Sequence, residues 1–155
     1  MSEAVLRLVD LSDAEALHRL FSEPGVRRYL FDHRRLSHDE TQAHVEEACA
    51  HGGWVVCTAE GIVGLVSLRP VGADRELVVV LSERCWGMGL AYSAARVAMR
   101  HGFEVLKLGR ILASVDLPNE RSHRLMARLG FVPCGESDGP SYRLTNYEAL
   151  RRSGT

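Results

Sequence analysis

Leu77-Val78-Val79-Val80-Leu81-Ser82-Glu83-Arg84-Cys85-Trp86-Gly87-Met88-Gly89-Leu90-Ala91-Tyr92 decides how this chain folds. Its saturated apolar start, with three consecutive valines, predicts a strand buried on both faces. A short glycine-bearing turn follows, and then a helix rich in alanine (Ala91, Ala94, Ala95, Ala98). Gly87 and Gly89 leave room for backbone N–H groups at the helix start to close on a ligand. Free first-turn N–H groups at the positive end of a helix dipole form an anion site, most often for phosphate. Arg84 adds a cation just upstream.

The rest of the composition narrows the class. The 155 residues suit one domain with a sizeable core, 1–155. A 25% charged content balanced to a net charge of -1 argues against a generic nucleic-acid or membrane-surface binder, either of which would carry a basic excess. No apolar run is long enough to span a bilayer, and the N-terminus lacks a signal-peptide pattern, so a cytoplasmic protein is the expectation. Cys49, Cys57, Cys85 and Cys134 form no C-x-x-C pair, which predicts reduced, mostly buried thiols and neither a disulfide framework nor a zinc site. The seven histidines include no pair at one-turn H-x-x-x-H spacing, so no metal is expected and most should face solvent.

Working outward from Leu77, Val5–Val9 should be a first strand, and Asp10 or Ser12 should cap a helix over Asp13–Phe21. Pro24-Gly25 interrupts it, and Val26–Phe31 follows as a short helical or irregular segment. Ser37-His38-Asp39-Glu40 is a capping box opening a helix to about Ala50. Trp54–Ala59 and Ile62–Arg69 make a hairpin across Glu60-Gly61. Pro70–Arg75 reads as a loop before the buried strand, Glu76–Leu81. The alanine-rich helix should run to His101 and stop at Gly102. Arg110–Val115 is the next strand, followed by a helix from Leu117–Glu120 to Leu129. The pattern closes with strands at Phe131–Pro133 and Ser141–Leu144 around the turn Ser137–Pro140, and a short helix near Asn146–Leu150. The order β-α-α-β-β-β-α-β-α-β-β predicts a mixed α/β sheet with helices on both faces. Its hairpins are antiparallel, and one β-α-β unit is parallel with a right-handed crossover.

Arg84-Cys85-Trp86-Gly87-Met88-Gly89 resembles the [Q/R]-x-x-G-x-[G/A] loop of the GNAT superfamily of acyl-CoA-dependent N-acyltransferases. Asn119-Glu120-Arg121-Ser122 with Leu129-Gly130-Phe131 resembles that family's N-x-x-S and LGF elements. The Trp-Gly-x-Gly form, the Ser after Asn, and Ser22-Glu23-Pro24-Gly25-Val26-Arg27-Arg28-Tyr29-Leu30 are similar to the RimJ/RimL-like branch, which takes its name from enzymes that acetylate N-termini of ribosomal proteins. The resemblance spans Leu6 to Leu144. It implies that the buried strand splays from its parallel neighbour, often beside a bulge, and admits the pantetheine arm of acetyl-CoA. Backbone groups of Val79, Val80 and Leu81 would bind that arm. N–H groups from Arg84 through Cys85, Trp86, Gly87, Met88 and Gly89 to Leu90 would take the pyrophosphate, and Asn119 and Ser122 would lie near the sulfur.

The implied reaction is acetyl transfer to a primary amine, either a protein N-terminus or a small molecule. A non-catalytic acyl-CoA-binding module of the same fold is the alternative. A backbone N–H near Val80 would stabilise the oxyanion. Glu76 is the candidate general base, against a reading as a strand-entry charge paired with Arg75 or Arg69. Many members place a thiolate-protonating Tyr where this chain has Met126, which leaves Ser122 as the candidate donor, with Tyr142 outside it. Cys85 and Cys134 have no motif supporting a nucleophilic role. Arg28, Tyr29 and Phe31 lie where the family lines its acceptor site, and an ordinary charged face is the other reading. Val78, Val79 and Val80 depart from the branch's usual Gly-Tyr-Trp, at the acceptor pocket. Such relatives are commonly homodimers; the residues here leave that open.

Overall fold

The computed structural model describes residues 4–30 and 34–152. The buried strand foreseen at Glu76–Leu81 is β4, Asp74–Leu81, at the centre of a seven-stranded sheet ordered β1-β2-β3-β4-β5-β7-β6. Ahead of it come β1 (Val5–Leu8), α1 (Ala14–Phe21), α2 (Pro24–Arg27), α3 (His38–His51), β2 (Gly53–Thr58) and β3 (Gly61–Val71). After it come α4 (Leu90–Arg100), β5 (Arg110–Asp116), α5 (Glu120–Leu129), β6 (Val132–Asp138) and β7 (Arg143–Leu150). The pair β4–β5 is parallel, and the other neighbours are antiparallel. This is the mixed α/β architecture that the sequence predicts.

Side-chain alternation along β4 divides the core between two faces. Leu77, Val79 and Leu81 pack with Ala94, Ala95 and Ala98 of α4 and Met126 of α5. Val78 and Val80 pack on the other face with Leu17, Leu20 and Phe21 of α1 and Val45 and Ala48 of α3. The alanines let α4 lie close on the strand, since a longer side chain at these buried positions would hold the helix off. Asp10 and Asp13 form a capping box ahead of α1, and Ser37 and Glu40 form another at α3. Asp13 is buried against Arg7 at 2.9 Å, and that guanidinium holds its carboxyl below the ordinary range.

Several boundaries differ from the sequence reading, each for a tertiary reason. The expected loop Pro70–Arg75 is a two-residue turn, Gly72-Ala73, between the paired ends of β3 and β4; Gly72 supplies the positive φ of 60°. Gly102 does not end the alanine helix. The chain continues through a π-turn, His101–Val105, and Gly102 is buried where a Cβ would press on Leu68, Leu108 and Ile111. The expected terminal helix at Asn146–Leu150 is the second half of β7, paired throughout with β5 and, as far as Glu148, with β6 on the other side. Its Glu-Ala-Leu-Arg-Arg composition favours a helix locally, but this pairing overrides that preference. The strand at Phe131–Pro133 extends instead over Val132–Asp138, and the one at Ser141–Leu144 begins at Arg143. The thiols also differ: Cys85 is buried and Cys57 half-buried, but Cys49 and Cys134 are exposed. Among the described residues no helix is long and apolar enough to cross a membrane.

Candidate active site

β4 is bound very differently along its two edges. Its register with β3 runs without interruption from Val71↔Asp74 to Gly64↔Leu81. With β5 it shares one register pair, Glu76↔Leu112, beyond which the two strands part. No bulge accompanies the parting, because the β3–β4 register is constant; the shifts in this sheet lie at Val56/Cys57 and Pro133/Gly135.

The parity of the ladder decides which backbone groups the opening receives. Ser82 N–H donates to Val63 C=O at 2.8 Å, which continues the β3–β4 register as a hydrogen-bonded pair. Such pairs alternate in an antiparallel ladder, so Val80 and Val78 also turn their N–H and C=O groups to β3. Val79 and Leu81 turn theirs the other way, past the last contact with β5. The Val80 N–H is thus committed to the ladder, and the N–H groups near it that face the opening are those of Val79 and Leu81. The Leu81 carbonyl is taken by the Trp86 indole N–H at 2.9 Å, which folds the turn back on the strand end.

The opening leads into a cavity of about 620 Å³ that reaches both faces of the sheet. On the α4/α5 face it is lined by Trp86, Gly87, Gly89, Leu90, Ala91 and Tyr92, and by Asn119 and Ser122. Gly87 and Gly89 adopt φ of 81° and 78°, a left-handed conformation that strains any residue with a Cβ. Gly89 caps α4, and the first N–H of the helix to find an intrahelical carbonyl is that of Ser93. Cys85 and Trp86 donate their N–H groups to Ser82 and Glu83 within the turn. Those two N–H groups of the expected run are therefore committed within the turn.

Asn119 and Ser122 meet as the sequence spacing implies. Asn119 caps α5 by accepting from the Ser122 N–H at 3.3 Å, and its Nδ2 donates to Ser122 Oγ at 3.0 Å. His123 ties this turn to the sheet. Its Nε2 donates to Leu117 C=O at 3.0 Å, so Nδ1 accepts from the Tyr147 hydroxyl at 2.6 Å.

Arg84 does not line the cavity. Its guanidinium points away to Glu60 (3.4 Å) and Glu23 (3.9 Å). The cations that line it on the α4/α5 face are Arg121, Arg124 and Arg128 of α5, which sequence reasoning overlooked. Their spacing of three and then four residues, starting two after Asn119, was the available signal. Arg121 stacks on the Trp86 ring at 3.5 Å, and Arg128 lies 4.4 Å from the Tyr92 ring centroid. Met88 is exposed and outside the lining; Cys85 is within it, with its thiol pushed up by burial, the opposite of an activated nucleophile.

On the opposite face the lining changes to Gly25, Val26, Tyr29 and Leu30, with His44, Glu47 and His51 of α3, and Arg69, Glu76, Ser114 and Asp116 from the sheet. Glu76 sits at the single β4–β5 contact. Its Oε1 is 3.6 Å from Arg69 Nε, and its Oε2 is 3.2 Å from Ser114 Oγ, which is also 3.2 Å from Asn146 Oδ1. Arg69 is thus its ionic partner. Arg75 instead donates to the carbonyls of His51 and Leu68. Burial lowers the His44 imidazole below its ordinary value and favours the neutral ring. Tyr29 lines the cavity with its ring 5.7 Å from that of Tyr142, while Arg28 is exposed and lies over Tyr29. Phe31 lies outside the described residues. Among the described residues no His/Cys/Asp/Glu cluster could hold a metal.

A parted parallel strand pair, a glycine turn and a free helix start define the class, and the comparisons agree. The model of the acetyltransferase (GNAT) domain matches residues 4–132, and the chain belongs to this family, of RimJ/RimL type. It is 33% identical over 138 residues to spermidine N(1)-acetyltransferase of Escherichia coli K12, covering 84% of this chain and 74% of that protein. Its fold is similar to the Vibrio cholerae spermidine N-acetyltransferase solved with CoA and spermine (TM-score 0.79, 22% identity, 96% and 95% of the two chains). It is equally similar to the ribosomal-protein-S5-alanine acetyltransferase of Vibrio fischeri (TM-score 0.81, 21% identity, 100% and 99%). The protein is an acetyltransferase.

Proposed function

We propose that the protein moves the acetyl group of acetyl-CoA to a primary amine by direct attack within the β4–β5 opening, and that the acceptor is a small polycationic amine. The observation that carries the transfer is the single β4–β5 register pair, which leaves the Val79 and Leu81 edges of a buried strand without a neighbouring strand. Polar backbone with no strand beside it needs another partner, and the amides of a pantetheine arm supply one. The N–H groups from Gly87 through the first turn of α4, together with Arg121, Arg124 and Arg128, suit the phosphates.

The acceptor assignment rests on charge. Glu47, Glu76 and Asp116 line the acceptor side, against one guanidinium, Arg69, that is already paired to Glu76. A polyamine presents several ammonium groups to such a wall. The E. coli relative named as a spermidine acetyltransferase supports the same acceptor class. An α-amino group of a protein is the second reading, favoured by the fold shared with the V. fischeri enzyme.

In the reaction the ammonium first loses a proton to Glu76, directly or through water. The amine nitrogen forms a bond to the thioester carbon, and the carbonyl oxygen becomes an oxyanion held by the Val79 or Leu81 N–H. The tetrahedral centre collapses, the C–S bond breaks, and the second proton of the attacking nitrogen passes to the thiolate through the Ser122 hydroxyl, which Asn119 orients and which ends the step protonated as it began. Each preorganised donor of this kind is worth on the order of 10²–10³ in rate.

Thiol release measured over an amine panel tests the proposal. Spermidine and spermine should support turnover well above Ala- and Ser-ended peptides, and Ser122→Ala should abolish most of it. Turnover with peptides alone would replace the polyamine reading. CoA binding without release for any amine would leave a binding module.

A further inference from the structure

Glu23-Pro24-Gly25 belongs to the segment that aligns this chain with its branch, yet none of the chemistry above uses Glu23. It stands just before α2, outside the cavity lining, and its carboxylate reaches the turn after β4. Ser82 Oγ lies 2.9 Å from each Glu23 oxygen, and Glu83 N–H donates to Glu23 Oε1 at 3.1 Å. Glu83 answers in the other direction: its carboxylate accepts the Gly25 N–H. A Cβ on Gly25 would meet that carboxylate, so a larger residue there would displace the Glu83 side chain from the Gly25 N–H. Each segment therefore places a carboxylate on the other's backbone, like a capping box made between two parts of the chain.

Ser82 is the fixed point of this arrangement. It is 1% exposed, and its three polar groups are all committed: N–H to Val63, C=O to Cys85 N–H, and Oγ to Glu23. Arg84 closes the cluster, with Nη1 3.3 Å from Ser82 Oγ and its guanidinium between Glu23 and Glu60. None of Glu23, Ser82, Glu83 or Arg84 lines the cavity, but the residues that follow each arm do. Gly25, Val26 and Tyr29 line the acceptor side, and Trp86, Gly87 and Gly89 line the phosphate side.

We propose that Glu23 is a positioning residue that locks the acceptor wall to the phosphate turn, so that ordering of one on binding orders the other. This rests on the acetyl-CoA reading above. Charge-assisted hydrogen bonds to a buried hydroxyl are among the stronger local constraints, and losing the carboxylate would leave Ser82 Oγ with Arg84 as its remaining partner. Two segments joined this way share one local opening equilibrium, so a ligand that closes the turn suppresses opening of α2 as well.

Amide hydrogen exchange with and without CoA tests the coupling directly. In the wild type, CoA should protect Gly87–Tyr92 and also Gly25–Tyr29, which it need not touch. In Glu23→Ala, protection should persist at Gly87–Tyr92 and vanish at Gly25–Tyr29, with CoA affinity falling about 10-fold. The KM of each substrate should rise while kcat at saturation stays within about twofold. Glu23→Gln, which keeps an acceptor oxygen for Ser82 and Glu83, should restore part of both effects. Ser82→Ala removes the donor with Glu23 left in place and should reproduce the loss of spreading, which covers the case of a poorly folded Glu23→Ala. Protection confined to Gly87–Tyr92 in the wild type would overturn the latch alone. No protection at Gly87–Tyr92 would overturn the acetyl-CoA reading, and the latch with it.

Discussion

The two edges of β4 make opposite uses of the same backbone. Toward β3 eight register pairs close the ladder, and a β-strand's ordinary rule holds: every N–H and C=O finds a neighbouring strand. Toward β5 one pair is made, and the strands then part over a cavity. The side chains do not explain the difference, since both β4 faces are apolar and packed. The lesson is that the proposed site arises from strand geometry, with a buried backbone edge offered as the binding surface and few side chains required for the proposed chemistry.

Four experiments break or sharpen this contrast, taken from the largest expected effect to the smallest. Glu76 marks the last point where the open edge is closed. If it is the base, Glu76→Gln should lower kcat by roughly 10²–10⁴ with the fold intact by circular dichroism, and a loss below threefold would remove it from that role. Proline at neighbouring β4 positions separates the edges. Val80→Pro removes a ladder bond to β3 and should cost on the order of 3 kcal/mol, read as a large drop in Tm. Val79→Pro removes an N–H that faces the opening, so it should reduce CoA affinity more than Val80→Pro relative to its effect on stability.

The two sides of the glycine turn make the third comparison. Arg121→Ala should weaken CoA about 5- to 10-fold in calorimetry, because it removes a cation that lines the cavity. Arg84→Ala should stay within about twofold, because its half-exposed guanidinium is spent on Glu23 and Glu60. Equal effects would return Arg84 to the binding site.

The fourth concerns the helix layer over the closed edge. His44 has its folded-state value depressed below the ordinary 6.5 by burial, so the unfolded chain binds the proton first as pH falls. The group's contribution is complete above about pH 6.5 and is lost as pH drops through its folded value. Tm measured down from neutral pH should therefore fall more in the wild type than in His44→Gln. Parallel curves would assign the acid sensitivity to other groups.

Much of the site was legible because its signals are local. Gly87 and Gly89 must be glycine for their positive φ, and Asn119 three residues before Ser122 is an N-cap spacing that also brings both side chains to one place. The cations on α5 were equally local, at helical spacing, but carry no motif and were overlooked. Glu76 was a candidate from the sequence, yet its ionic partner was open between Arg69 and Arg75 until strand register set Arg69 opposite it. His44, Glu47 and Asp116 come from elements far apart in the chain, and their convergence on one cavity had no sequence signal.

By itself the sequence determined the element types around β4, the glycine turn, the cap of α5 and the family, because each depends on residues within a turn or two of one another. Tertiary structure alone decided that Asn146–Leu150 is strand, since pairing with β5 along its length and with β6 as far as Glu148 outweighs a local helical preference. It also decided that the backbone groups of Val79 and Leu81, and not those of Val80, turn to the opening. Three valines in a row are chemically alike, and only the hydrogen-bond parity set by Ser82 and Val63 distinguishes them.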